Sequence, residues 1–283
     1  MRVKTLWAGI CPVIMGTAMA IADETLHWPS AVAALIGALL IQIGTNFAND
    51  YYDGIKGTDD EDRKGPARAV ASGLISASTM KCAMIFTMVL VFVPGAYIVY
   101  RGGVTFLMIG IISVLSGIAY TGGPYPLAYN GLGDIFALVF FGPVAVAGTY
   151  YLQSYSIPPE VLIAGLAPGF FSVAILTVNN LRDIEGDTKS GKKTLPVRFG
   201  TGFAKAEYIA SMILATVLIP IGLCLYTQGH YMSLLGSITF LIAIPGYHTV
   251  CTKTDGTSFN KTLAATGKYL LIFTLLFSIG WVL

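Results

Sequence analysis

Two stretches of this sequence gather carboxylates at helical spacing. The first reads Asn46-Phe47-Ala48-Asn49-Asp50-Tyr51-Tyr52-Asp53-Gly54, and the second Asn179-Asn180-Leu181-Arg182-Asp183-Ile184-Glu185-Gly186-Asp187. Asp50 and Asp53 stand three apart and Asp183 and Asp187 four apart, so on a helix each pair shares one face. Like charges so placed repel, and the macrodipole at a helix C-terminus disfavours them further. Cationic charge is therefore required. Hard oxygen ligands in sets, without His or Cys, suit Mg²⁺, which binds through one or two carboxylates while keeping waters and substrate phosphate oxygens. Arg63, Lys64 and Arg68 follow the first set, and Lys189, Lys192, Lys193 and Arg198 the second. Acids for a metal beside Lys and Arg for phosphate oxygens read as a diphosphate site. The four-acid run Asp59-Asp60-Glu61-Asp62 has the character of a solvated surface instead.

These motifs must be positioned by membrane helices. Of 283 residues, 55% are hydrophobic and only 11% charged, against about 25% charged in a soluble domain. A span needs about 20 mostly apolar residues. The sequence predicts nine, over 4–22, 29–49, 79–100, 104–120, 132–152, 161–178, 206–226, 231–247 and 263–282, in a single all-α domain around a central cavity. The motif loops run over about 50–78 and 179–205. With nine spans the termini lie on opposite sides, and of the 17 basic residues only Arg101 falls opposite the N-terminus. Basic residues mark the cytoplasmic side, so the N-terminus and both motifs are expected there. Of the 15 acids only Asp23, Glu24 and Glu160 lie on the other face. The motif acids abut the spans, where ionisable groups are costly and functional by default.

The remaining chemistry is sparse. Net charge of +2 gives no reason to expect nucleic acid. Cys11, Cys82, Cys224 and Cys251 have no CxxC spacing, so neither a zinc site nor a disulfide framework is indicated. His27, His230 and His248 do not cluster and read as interfacial side chains. Spans two and six both deliver an Asn-Asp terminus to the same face, a weak repeat that lets two halves converge on one cavity.

At the two motifs the sequence resembles the UbiA superfamily of intramembrane aromatic prenyltransferases. The resemblance spans nearly the whole chain. Asn49-Asp50-Tyr51-Tyr52-Asp53 with Arg68-Ala69-Val70-Ala71-Ser72-Gly73-Leu74 is similar to the first family motif. Asn180, Asp183 and Asp187 resemble the second, and Gly191-Lys192-Lys193-Thr194-Leu195 with Arg198-Phe199-Gly200 the segment after it. Within the family the likeness is strongest to the branch that prenylates 1,4-dihydroxy-2-naphthoate in menaquinone biosynthesis. It is carried by Asp53 to Asp59, Gly65-Pro66, Gly122 to Tyr129, Gly131 to Asp134 and Phe140 to Pro143. The family commonly has a third acid where this chain has Gly57, and Asp59 is the candidate substitute.

The resemblance implies an enzyme of the cell membrane with its active site facing the cytoplasm. It would move a polyprenyl group from polyprenyl diphosphate to 1,4-dihydroxy-2-naphthoate, replacing the ring carboxylate with loss of carbon dioxide. It also implies Mg²⁺ held by Asp50, Asp53, Asp183, Asp187 and Asp59, with Arg68, Lys192 and Lys193 on the phosphates and Lys56 and Arg182 as further candidates. Tyr120, Tyr125 and Tyr129 could face the allylic cation or anchor the interface. Asp134 either orients or deprotonates the acceptor phenol or caps its helix. Asn46 and Asn49 could orient the acceptor or a carboxylate, and an apolar groove open to lipid would hold the tail. Rivals are a prenyltransferase for 4-hydroxybenzoate, homogentisate, a haem or a lipid alcohol, and a divalent-cation transporter or channel. A through-path would place acids near mid-membrane or on both faces, whereas 12 of the 15 acids cluster on the cytoplasmic side and the outer face is nearly apolar. A phospholipid head-group transferase would carry a compact Asp-Gly-x-x-Ala-Arg block, which is absent from the sequence.

Overall fold

The computed structural model describes residues 5–56, 65 and 68–283, and the predicted ligand Asp59 lies outside them. Among the described residues every regular element is helical. In chain order the α-helices are α1 (Leu6–Ala22), α2 (Trp28–Lys56), α3 (Ala77–Leu90), α4 (Phe92–Ala119), α5 (Gly133–Val139), α6 (Ala145–Ser154), α7 (Pro159–Lys189), α8 (Leu195–Ile213), α9 (Ile219–Thr227), α10 (Ile238–Ile242), α11 (Ile244–Thr252) and α12 (Gly256–Val282). Seven of the described segments are helical, long and apolar enough to cross a membrane, with the shorter apolar α1 beside them. One of the seven is the 43-residue stretch Ala77–Ala119. Inside it, Gly103 adopts φ 71°, at the gap predicted between the third and fourth spans.

Both motif-bearing helices run further than their apolar stretches. α2 continues to Lys56 and α7 to Lys189, so all four motif aspartates stand on helical turns. α7 is the axis of the bundle, with 72% of its most apolar window buried. It packs against α5, α8 and α12. Phe171 of α7 meets Phe273 of α12 with ring centroids 5.3 Å apart, and both rings are fully buried.

α5 and α6 are one helix interrupted by a π-helical turn over Phe140–Val144. Pro143 cannot donate to the helix ladder, and Gly142 leaves helical geometry at φ −110°, ψ −116°. There α7 crosses at backbone distance. A Cβ on Gly169 would stand 2.5 Å from the Leu138 carbonyl oxygen, and one on Gly165 would be 2.8 Å from Pro143 Cα. Small residues at such crossings let membrane helices approach closely. This holds the start of α5, and with it Asp134, against the motif helix.

Candidate active site

The first motif occupies the last two turns of α2, where the chain folds back over it. Both carboxylate oxygens of Asp50 accept backbone N–H bonds, from Ala69 and Val70 at 3.2 Å each. Asp53 is 1% exposed. Its Oδ2 accepts from the Arg68 guanidinium and its Oδ1 from the Tyr129 hydroxyl at 2.9 Å. Charge-assisted bonds of this kind are about twice as strong as neutral ones. They fix Asp53 and Arg68 as one unit. Gly54 makes the fold-back possible, because a Cβ there would lie 2.6 Å from Val70 Cγ1.

The second motif occupies the last turns of α7. Arg182 grips Asp183 bidentately, Nε to Oδ1 at 2.8 Å and Nη2 to Oδ2 at 2.5 Å. It also donates to Asn179 Oδ1 at 2.9 Å and to Asn260 Oδ1 of α12 at 2.7 Å. Arg182 is buried and orders the motif against α12. One turn on, Asp187 meets Lys192 Nζ at 3.3 Å. Lys192 also lies over the ring of Tyr129, whose hydroxyl donates to Asp53, so the two helix ends come together.

The segment between α4 and α5 joins them, with Tyr129 as the hub. Its ring carries Lys56 Nζ at 4.6 Å and Lys192 Nζ at 4.8 Å from the centroid. Its carbonyl accepts the Lys193 backbone N–H at 2.8 Å. Thus one residue from the connection touches Asp53 of the first motif and the basic segment of the second. Gly131 sits at φ 72°, and a Cβ there would meet Lys193 O at 2.8 Å. No other residue fits that turn without strain. Lys56 donates to Thr121 O at 2.7 Å, and the Thr121 hydroxyl to Asn49 Oδ1 at 2.9 Å.

The structure brings together Asn49, Asp50, Asp53, Lys56, Arg68, Tyr129, Asp183, Arg182, Asp187 and Lys192 around this junction. Lys193 contributes its backbone, while its side chain is exposed. Tyr125 stands apart at 62% exposure. Asn46 is buried and donates to Thr5 Oγ1 at 3.4 Å, at the start of α1. Tyr120 lies beside the first residue of α5, its hydroxyl 3.1 Å from where a Cβ on Gly133 would be.

Deeper in the bundle lies Asp134, 7% exposed, whose Oδ1 has no hydrogen-bond partner among the described residues. Glu207 of α8 comes near it by way of α7, where Leu176 borders Gly133, the residue before Asp134, and the next residue, Thr177, contacts Glu207. Glu207 Oε2 accepts from the Thr177 hydroxyl of α7 at 3.1 Å. Glu207 belongs to no sequence motif. Its one signal is an acid placed in an apolar span.

Among the described residues no three His, Cys, Asp or Glu side chains converge on a shared ion position. The donor chemistry nevertheless fits Mg²⁺. Four carboxylates project from two facing helix ends without His or Cys. Three of them take cationic side chains, from Arg68, Arg182 and Lys192, which shows how strongly the place favours positive charge.

Residues 10–281 match the model of the UbiA prenyltransferase family. The chain belongs to that family. It is 38% identical to the 1,4-dihydroxy-2-naphthoate octaprenyltransferase of Escherichia coli (strain K12), covering 99% of this chain and 92% of that one. It is 33% identical to the protein of the same description in Haemophilus influenzae, over 99% and 93% of the two chains. Its fold matches a UbiA homologue from Aeropyrum pernix K1 with TM-score 0.71 at 15% identity, covering 99% of this chain and 98% of that one. A UbiA homologue from Archaeoglobus fulgidus, solved with GPP and Mg²⁺, matches with TM-score 0.68 at 17% identity, over 100% and 98%. The junction of the two acidic helix ends, with its buried acids and interleaved cations, is the candidate active site.

Proposed function

We propose that this chain transfers a polyprenyl group from polyprenyl diphosphate to 1,4-dihydroxy-2-naphthoate, releasing carbon dioxide and diphosphate and leaving demethylmenaquinol. The carrying observation is the full-length similarity to naphthoate octaprenyltransferases at 38% and 33% identity. Two facing acid sets with basic side chains interleaved, bridged by Tyr129, supply the matching chemistry.

Asp50, Asp53, Asp183 and Asp187 would hold Mg²⁺, with Asp59 as the further candidate in the first motif. When bound, the metal supplies Lewis-acid neutralisation of the leaving diphosphate, as GPP and Mg²⁺ bound together in the Archaeoglobus homologue support. Arg68 and Lys192, which border these carboxylates, are the candidates for the phosphate oxygens, Arg68 bidentately. Lys56, Lys193 and Arg182 surround them. As phosphate oxygens draw Lys56 and Lys192 away, the Tyr129 ring face is left to the allylic cation, an attraction of about 2 kcal/mol when desolvated. Tyr120 borders the same space from the acceptor side. Asn49 acts through Thr121 on the connection that carries Tyr129.

The proposed setting is the cell membrane, crossed nine times with the N-terminus cytoplasmic. Counting α1 as a crossing and dividing Ala77–Ala119 at Gly103 supports the number. The one-sided distribution of basic residues supports the orientation. The function is tested by incubating the purified protein in bilayers with Mg²⁺, a labelled polyprenyl diphosphate and each acceptor in turn. A prenylated, decarboxylated naphthol is the expected product. Exclusive product from 4-hydroxybenzoate or homogentisate would reassign the acceptor, and no product with any aromatic acceptor would sink the assignment.

A further inference from the structure

Asp134 and Glu207 stand apart from the four motif aspartates. Thr177, which holds Glu207, precedes Asp183 by six residues on α7, about 9 Å along the helix axis at 1.5 Å per residue. The pair therefore lies deeper in the bundle than the diphosphate-binding acids. Three packed helices build it: α5 gives Asp134, α7 gives Leu176 and Thr177, and α8 gives Glu207. Tyr120 closes it from the end of α4, and a Cβ on Gly133 would touch both its hydroxyl and Leu176.

The pair is chemically unfinished. Asp134 Oδ1 is buried without a partner. Glu207 uses one carboxylate oxygen on Thr177, and no cationic side chain among the described residues forms an ion pair with either acid. A buried, unpaired carboxylate oxygen carries a desolvation cost of several kcal/mol. Asp134, with half-buried Glu207 reached across the neighbouring Leu176 and Thr177, calls for a ligand that brings hydrogen-bond donors.

Resting on the function proposed above, we infer that Asp134 and Glu207 receive the acceptor by its two para hydroxyls. Asp134 lies in the first turn of α5, near the diphosphate junction, and takes the hydroxyl next to the reacting carbon. Glu207, seven residues beyond the break at Gly200 on α8, takes the far one. The acceptor carboxylate then points away from both acids, towards Arg68 and the lysines.

This arrangement assigns the proton. The ring carbon bearing the carboxylate bonds to the allylic carbon as the allylic C–O bond to diphosphate breaks. The adjacent hydroxyl passes its proton to Asp134 and becomes a carbonyl. The C–C bond to the carboxylate then breaks, carbon dioxide leaves, and the electron pair restores the aromatic ring as the oxygen recovers its proton from Asp134. No proton is gained or lost overall. A buried base with no route to water suffices for this, which matches the 7% exposure of Asp134.

The test compares wild type, Asp134→Asn and Glu207→Gln in bilayers, with the dihydroxynaphthoate and its 4-O-methyl ether as acceptors. Asp134→Asn is expected to lower kcat about 100-fold or more with the KM for polyprenyl diphosphate unchanged. Glu207→Gln should raise the acceptor KM about tenfold. The wild type should use the ether at least about tenfold less well, because Glu207 is left unpaired against a methyl group, and Glu207→Gln should narrow that gap. Asp134→Asn within threefold of wild-type kcat, or equal wild-type use of ether and parent, overturns the inference. The ether arm needs no variant to fold. If the wild type prenylates a different phenol, the function assignment fails separately. Loss of kcat in Asp134→Asn on that phenol would still support the pair, and its absence would overturn it.

Discussion

At the scale of single residues, Tyr129 carries more than its type announces. Its hydroxyl donates to a carboxylate that also holds Arg68, and its ring carries two lysines. Tyr129→Phe removes only the hydroxyl. A hydrogen bond to a charged group contributes roughly 1.5–3 kcal/mol, so kcat/KM is expected to fall about 10- to 150-fold in a steady-state prenyl-transfer assay. An unchanged value would show that Asp53 is placed by Arg68 alone. Asp50, Asp53, Asp183 and Asp187 were legible in the sequence because their spacing matches the helix repeat. The connection that ties them was not. Tyr129 reads as one of three tyrosines in a Gly- and Pro-rich segment, and only long-range folding separates it from exposed Tyr125. Glu207 was equally hidden, since its partners Thr177 and Asp134 lie 30 and 73 positions away and no local pattern links them.

At the scale of elements, the crossing of α7 over the π-turn decides whether α5 reaches the site. The Cβ clearance at Gly169 is 2.5 Å to a backbone oxygen, which cannot swing aside as a side chain can. Gly169→Ala should therefore overpack the crossing and cost about 1–3 kcal/mol, read as a lower thermal midpoint in detergent. Because Asp134 rides on α5, the activity loss at a permissive temperature should exceed the loss of folded protein. Equal losses would separate the crossing from the site. Apolar runs gave away most helices, and Gly103 marks the predicted break. The helix ends were less visible: α2 and α7 outlast their apolar stretches, because Arg68, Arg182 and Lys192 stabilise acidic turns that hydropathy alone would assign to loops.

At the scale of the whole molecule, the site is balanced in charge before any ligand arrives. Asp53, Asp183 and Asp187 each have a cationic partner within the chain. Chelating divalent metal should abolish prenyl transfer while leaving helicity and the melting midpoint nearly unchanged, and Mg²⁺ should restore turnover without a refolding step. A cooperative loss of helicity on chelation would instead make the metal a structural element. The bundle is also unevenly held. Only 22% of the most apolar window in Ala77–Ala119 is buried, against 72% in α7. Local opening draws on the elements with the fewest enclosed contacts. The two crossings of Ala77–Ala119, folded at Gly103, are therefore expected to open at least cost to the core, so a long isoprenoid would be expected to pass there along the plane of the bilayer with its tail kept in lipid.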